Sequence, residues 1–144
     1  MQDKTSFDLV DFIPYLLNQA ADITSRRFES YYKSKYGMLR TEWRVIFHLG
    51  RYGEMTAKDI CTRARIHKTK VSRAVQALEA KNYLSRTQLP DDRRHEALGL
   101  TASGKRVFED LYHEAARFDA EIMSEFTSAE QAQLRRLLTQ IAGL

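Results

Sequence analysis

The chain has 144 residues, 43% of them hydrophobic and 29% charged, which is typical of a folded globular domain and excludes an intrinsically disordered chain. Its formal net charge of +4 permits an acidic partner such as DNA without requiring one. A single cysteine, an acidic N-terminal segment in place of a signal peptide and the lack of a membrane-spanning apolar run lead us to expect a cytoplasmic protein that makes no membrane contact.

Two long helices are predicted in the first third of the chain. Apolar side chains recur at helical spacing from about Asp11 to Tyr32, with Asp11 as the expected cap. Pro14 falls near the first turn, where its missing N–H costs little. The segment KYGMLRTEW interrupts this pattern. We therefore expect a second helix that begins at a Thr41 cap and ends at Gly53.

Two shorter helices joined by a tight turn, RIHK, follow. The segment TAKD predicts a capping box at Thr56, with Asp in place of the preferred Glu, and a short third helix whose apolar side holds Ile60, Cys61 and Ala64. The fourth helix is expected from about Lys68 to Lys81. Helical spacing places Val71, Ala74, Val75 and Leu78 on one side of it, and Thr69, Ser72, Arg73 and Gln76 on the other.

A β-hairpin and two helices are predicted in the rest of the chain. YLSRTQL and EALGL show partial two-residue alternation, and PDDRRH between them predicts a charged tip. Thr101 is expected to cap a long helix that continues to about Phe126. TSAEQ predicts a second capping box, from Ser128 to Gln131, at the start of the last helix. This order of elements predicts a mainly α (α+β) fold.

The fourth helix and the hairpin together predict a winged helix-turn-helix that contacts DNA. A helix that follows a tight turn and exposes small polar and basic side chains is suited to the major groove. Arg73 is suited to guanine and Gln76 to adenine. Near the start of the helix, phosphate contacts are expected from Lys68, Thr69 and Lys70, and Ser72 lies on the same polar face.

Two segments resemble the MarR family (multiple antibiotic resistance regulators), bacterial winged helix-turn-helix transcription factors. DDRRHEALGLTASG is similar to the wing of that family, and TAKDICTRARIHKTKVSRAVQALEAKNYLSR is similar to its helix-turn-helix. The resemblance extends over nearly the whole chain and implies one domain over residues 1–144. It implies a homodimer in which helices from residues 1–35 and 102–144 intertwine, with a winged helix-turn-helix lobe at residues 36–101.

The resemblance also assigns roles at the wing tip, and two nearby residues depart from the family pattern. It implies that Arg94 enters the minor groove and that Arg93 contacts a phosphate, while Asp92 is placed to orient Arg94 by a charge-assisted hydrogen bond. Arg65 stands where the family often has Gly, and it costs about 1 kcal/mol if the backbone there needs a positive φ. His67 stands where Ser or Asp is more usual, which predicts a weaker helix cap.

A cluster of aromatic residues in the first two helices suggests a ligand crevice. Most of these rings are expected in the core and the dimer interface, but several tyrosine hydroxyls need polar partners. A crevice with aromatic walls and a nearby arginine suits an aromatic acid or its thioester, and the resemblance implies a crevice between the lobes. The candidate ligand-binding residues are Tyr15, Arg27, Tyr31, Trp43 and Arg44.

Other chemistries find little support in the sequence. The four histidines show no metal-ligand spacing and no catalytic motif appears, so we expect no enzyme, no cofactor and no metal; Cys61 is expected to be a small buried residue. The predicted function is that of a homodimeric repressor that binds a pseudo-palindromic operator in double-stranded DNA and is released by a small, aromatic effector. Two alternatives remain, a ligand-independent or architectural DNA-binding regulator and a winged-helix protein-interaction module.

Overall fold

The computed structural model describes residues 6–92 and 94–144, and it confirms the mainly α fold with one hairpin. A one-turn 3-10 helix, Leu9–Asp11, precedes the first α-helix. The helices are α1 (Ile13–Tyr36), α2 (Arg40–Tyr52), α3 (Ala57–Ala64), α4 (Lys68–Ala80), α5 (Ala102–Met123) and α6 (Ser128–Ala142), and the strands are β1 (Leu84–Gln88) and β2 (Glu96–Leu100). Within the described ranges, no helix has the length and apolar character needed to cross a membrane.

The starts of α1 and α2 differ from the predicted ones. Asp11 lies in the 3-10 turn, and the residue that precedes α1 is Phe12, whose side chain makes no capping hydrogen bond. Thr41 lies inside α2, which begins one residue earlier. Leu39 holds the cap position, and its side chain makes no capping hydrogen bond. Its own backbone N–H donates to the carboxylate of Glu42 at 2.8 Å, so a side chain in the first turn reaches back to the cap residue and the predicted Thr41 cap is wrong.

The capping box of α6 also lies one residue before the predicted one. Thr127 Oγ1 accepts the N–H of Glu130 at 3.1 Å, and the Glu130 carboxylate accepts the N–H of Thr127 at 2.9 Å. Ser128 is the first residue of the helix. Gln131 donates instead to the carbonyl of Met123, where α5 ends, at 2.9 Å.

The hairpin is anchored to the helix-turn-helix by a third strand segment. β1 and β2 are antiparallel, with Leu84 opposite Leu100 and Gln88 opposite Glu96. On the other edge of β2, Met55 and Leu98 exchange backbone hydrogen bonds of 3.2 and 2.8 Å. Because Met55 lies just before α3, these bonds hold the hairpin close to both helices of the motif.

The chain divides into two compact units, Met1–Tyr112 and His113–Leu144. The first unit has a core of apolar side chains under α4, in which the most completely buried are Val45, Ile46, Ile60, Val71, Val75, Leu78, Leu98 and Leu111. The second unit contains the end of α5 and all of α6, which are joined by an ion pair between Arg135 and Asp119. The complete winged helix-turn-helix therefore lies in the first unit.

Candidate nucleic-acid interface

Helix α4 has one buried apolar face and one exposed polar face. Val71, Ala74, Val75 and Leu78 are at most 3% exposed, and they fix the orientation of the helix on the core. The residues predicted to face DNA are all exposed: Lys68, Thr69, Lys70, Ser72, Arg73 and Gln76. Helical spacing therefore separates the two faces as the sequence predicts.

The turn between α3 and α4 adopts the backbone conformation in which Arg65 is strained. Arg65 ends α3 in the left-handed region, with φ +53°. The backbone there therefore does need a positive φ, the conformation that explains why the family often has Gly at this position. A side chain in that region costs about 1 kcal/mol relative to Gly. His67 caps α4 through Nδ1, which accepts the N–H of Thr69 at 3.2 Å. The positive end of the α4 dipole and two lysines then favour an anion at this point.

Asp92 folds the tip of the hairpin around Arg94. Its Oδ1 accepts the backbone N–H of Arg94 at 3.0 Å and lies 3.4 Å from Nε of the same residue. Its Oδ2 lies 3.6 Å from Nε2 of His95. The Arg94 side chain is nevertheless 89% exposed. Asp92 therefore contacts Arg94 at its backbone N–H and Nε, while the rest of the guanidinium is open to solvent. Arg93, predicted to contact phosphate, lies outside the described residues.

A groove of about 670 Å³ lies between α3, α4 and the hairpin. It brings Lys68 and Ser72 of α4 together with Arg94 of the wing, as expected for one interface. Six further polar residues line it that the sequence interpretation did not assign to the interface: Thr56, Lys58, Thr62, Arg86, His95 and Glu96. Helical spacing on α3 relates Lys58 to Thr62, but the position of Arg86 and His95 depends on the packing of the hairpin.

Arg86 joins the wing to α4. Its Nε lies 2.9 Å from Oε2 of Glu79 on α4, and its Nη1 lies 3.6 Å from Oε2 of Glu96 on β2. Cys61 also lines the groove and is half-buried, so the expectation that it is a buried core residue is wrong. Ile60 and Ala64 supply the core contacts of α3, and their burial turns Cys61 toward the edge of that face.

Residues predicted to bind a ligand have several different environments. Tyr31 and Trp43 both pack against the ring of Phe28, at centroid distances of 6.5 and 5.1 Å. Arg44 donates to the carbonyl of Ala64 at 2.8 Å and so joins α2 to α3; burial, followed by the nearby Arg40, lowers the pKa of its guanidinium. Tyr15 is half-buried and Arg27 is exposed, both on α1.

A polar cluster joins α1 to α5 beside these rings. Asp110 accepts hydrogen bonds from the Tyr31 hydroxyl at 2.9 Å, from Lys35 at 3.0 Å and from the Tyr36 hydroxyl. Burial opposes ionisation of Asp110, but the three hydrogen bonds outweigh it and hold its pKa below the usual value. Burial and the bond to Asp110 raise the pKa of Tyr36 to about 12. The cluster therefore holds an ionised carboxylate at neutral pH.

A recognition helix with an exposed polar face, a tight turn before it and a hairpin wing after it define a winged helix-turn-helix DNA-binding protein. The model of the MarR family matches residues 36–95, which contain the recognition helix, the turn before it, and the first strand and tip of the wing. This match, together with the relatives and solved structures described below, supports a MarR family regulator, and the proteins to which the chain is similar are transcriptional regulators.

Individual relatives agree with this assignment over most of the chain. The uncharacterized HTH-type transcriptional regulator YwoH of Bacillus subtilis is 22% identical over 121 residues, which cover 84% of this chain and 87% of that protein. The crystal structure of a MarR/EmrR family transcriptional regulator from Acinetobacter sp. ADP1 is 27% identical, has a TM-score of 0.85, and covers 95% of this chain and 96% of its own.

Two more distant structures share the fold. A cysteine-to-serine mutant of MarR from E. coli, complexed with operator DNA, is 19% identical with a TM-score of 0.82 and covers 94% of this chain and 99% of its own. BpsR from Bordetella bronchiseptica, whose DNA binding is regulated by 6-hydroxynicotinic acid, is 18% identical with a TM-score of 0.85 and covers 96% of this chain and 99% of its own.

Proposed function

We propose that the protein is a homodimeric repressor of the cytoplasm that binds a pseudo-palindromic operator and leaves it when a small, aromatic ligand binds. The observation on which this rests is the exposed polar face of α4 beside the basic wing tip, across one groove. Residues 36–101 form the DNA-binding lobe of this proposal, and residues 1–35 and 102–144 supply the dimerisation helices. The operator complex of MarR, which shares the fold, supports the same mode of binding.

Each exposed side chain has a role in the proposed complex. Arg73 and Gln76 read base edges in the major groove, since Arg pairs with guanine and Gln with adenine in two hydrogen bonds each. Arg94 enters the minor groove, where the negative potential attracts its guanidinium, and Asp92 orients it. Lys68, Thr69, Lys70, Ser72 and Arg93 complete the interface, mainly through phosphates.

The proposed effector is an aromatic acid that binds near the rings of α1 and α2. The neighbour BpsR responds to 6-hydroxynicotinic acid, an aromatic carboxylate, which supports this class of ligand. Tyr31 and Trp43, which both pack against Phe28, would contact the ring of the effector, as would Tyr15 on α1. Arg27 and Arg44 are the candidate partners of its carboxylate. A compound that both raises the thermal midpoint and weakens operator binding would identify it.

Selection of bound fragments from genomic DNA, followed by base substitution in the best site, tests the proposal. We expect half-sites whose centres are about 10 base pairs apart, or a multiple of that distance, because the dimer has two-fold symmetry. Arg73→Ala should relax base preference at one position in each half-site and cost about 1–3 kcal/mol there.

Lys70→Ala is the matched control on the same helix. It should weaken binding to all DNA sequences alike, because it removes a phosphate contact. For the same reason, the slope of log affinity against log salt concentration should become shallower by about one unit. If Arg73→Ala weakened binding to all DNA sequences equally, Arg73 would also be a phosphate contact. Recovery of no preferred sequence by the wild type would contradict sequence-specific regulation and would favour a protein-interaction module.

A further inference from the structure

Tyr36, the last residue of α1, contacts two different parts of the fold. Its hydroxyl donates to Asp110 on α5, and its backbone carbonyl accepts a hydrogen bond from Nζ of Lys81 at 3.2 Å. Lys81 follows directly after the last residue of α4, the proposed recognition helix, and is its C-cap. One residue thus joins α5 to the end of the helix that is expected to read DNA.

The ammonium of Lys81 is fixed by the acceptors around it. It donates to the carbonyl of Gly37 at 2.7 Å and lies 3.5 Å from Oε1 of Glu42. The carbonyls at the end of α1 have no partner within the helix and form the negative end of its dipole, so a cation there is favourable. Glu42 is only 4% exposed, and a buried carboxylate that loses its partner is strongly destabilised. The end of α4 is therefore clamped to the end of α1.

The ring of Tyr36 makes a second contact in the same place. It packs edge-on against the ring of Tyr83 at a centroid distance of 6.4 Å. Tyr83 lies between α4 and β1, and its carbonyl accepts the N–H of Thr101, just before α5, at 3.1 Å. The segment that leaves the recognition helix is thus held between α1 and the start of α5.

We propose that Tyr36 is a positioning residue that couples α5 to the recognition helix and thereby fixes the spacing of half-sites the dimer accepts. This inference rests on the proposed function, in which α1 and α5 belong to the dimerisation helices. In such a dimer, the distance between the two recognition helices depends on how rigidly each α4 is joined to those helices. The bonds from Asp110 through Tyr36 to Lys81 are a direct connection of this kind.

The test measures affinity for operator duplexes that share the same half-sites but differ by one or two base pairs in the spacer. For the wild type we expect a sharp optimum. Tyr36→Phe keeps the ring and the carbonyl but removes the bond to Asp110. It should reduce the preference for the best spacer over its neighbours by roughly fivefold, the equivalent of one net hydrogen bond. A role in stability alone would lower the thermal midpoint and weaken every spacer equally.

Lys35→Met is the matched control, since it removes another hydrogen bond to the same Asp110 carboxylate. The described polar contacts of Lys35 lie on α1 and α5, so its loss should leave the spacing preference unchanged. The other end of the connection is tested by the double variant Glu42→Gln/Lys81→Met, which removes the ion pair without leaving a buried charge. It should relax the preference to the same extent, and adding Tyr36→Phe should relax it no further.

The possible outcomes separate this inference from the proposed function. A sharp optimum that Tyr36→Phe leaves unchanged would overturn the inference alone, as would equal effects of Lys35→Met and Tyr36→Phe. A wild type that binds none of the duplexes, or binds all spacers equally, would overturn the proposed function and the inference with it. A sharp wild-type optimum that only the Tyr36 and Lys81 variants flatten supports both.

Discussion

One of the carboxylates at the wing tip, that of Asp92, lies on the surface that is proposed to approach DNA phosphates. Its Oδ1 holds the backbone N–H of Arg94 at 3.0 Å and lies 3.4 Å from Nε. If its only effect were through-space repulsion, its removal should strengthen binding. If it orients Arg94, its removal should weaken binding, because a freely rotating arginine must then be ordered at a cost of about 1 kcal/mol.

We predict that Asp92→Ala weakens operator binding and that the loss disappears once Arg94 is also replaced. A double-mutant cycle with Arg94→Ala at fixed salt measures this coupling. Asp91→Ala is the control, because Asp91 has the same charge and is also at the tip; its removal should strengthen binding slightly. Tighter binding by Asp92→Ala, or losses that are additive with those of Arg94→Ala, would show that the two residues act independently.

At the scale of single elements, the segment TSAEQ at the start of α6 contains two overlapping capping-box patterns, Thr127 with Glu130 and Ser128 with Gln131. The structure places the reciprocal bonds between Thr127 and Glu130, one residue before the box predicted at Ser128. Thr127→Ala should therefore lower the free energy of unfolding by about 1 kcal/mol, because it leaves an N–H at the helix start without its acceptor. Ser128→Ala should have little effect, since Ser128 is already helical.

Urea unfolding at one fixed protein concentration measures both variants. A larger loss from Ser128→Ala than from Thr127→Ala would contradict the hydrogen bonds seen in the structure. Glu130→Gln is a third variant, which should retain much of the reciprocal bond because an amide oxygen also accepts from the Thr127 N–H.

The same helices show which features the sequence predicts and which it leaves open. The existence of each helix follows from local periodicity, and the exposed face of α4 follows from it as well. The predicted starts of α1, α2 and α6 are misplaced, because the choice of cap depends on which backbone N–H lacks a partner. At α2 that choice depends on Glu42, a buried carboxylate whose partner Lys81 is 39 residues away along the chain.

The candidate interface also contains residues that the sequence predicts and residues that it misses. The residues of α4 are predictable because they lie on one helix. Lys58 and Arg86 are missed, because they reach the groove only through the packing of α3 and the hairpin against α4. The sequence does not predict whether Arg65 adopts the left-handed conformation, because the residue at that position is not a glycine; it predicts only the cost if the residue does so. Local patterns therefore locate the recognition helix, and long-range packing completes the site.

At the scale of the whole molecule, large apolar side chains remain exposed on the segments proposed to dimerise. Val10, Ile13 and Ile23 are exposed near the N-terminus, as are Ile141 and Leu144 near the C-terminus. Apolar groups exposed in such numbers are typical of an interaction surface. We therefore predict a dimer at micromolar concentration, whose thermal midpoint rises with protein concentration because association stabilises the folded state.

Two matched variants separate a dimer interface from ordinary surface exposure. Ile23 on α1 is 60% exposed, and Leu39, in the proposed DNA-binding lobe, is 59% exposed. Ile23→Lys should shift sedimentation equilibrium toward the monomer, because a charge would be buried without a partner in the interface. Leu39→Lys should leave association unchanged, since that side chain stays in solvent. A wild type that sediments as a stable folded monomer at micromolar concentration would contradict the dimer, and two half-sites would then be read by separate molecules with no preferred spacing.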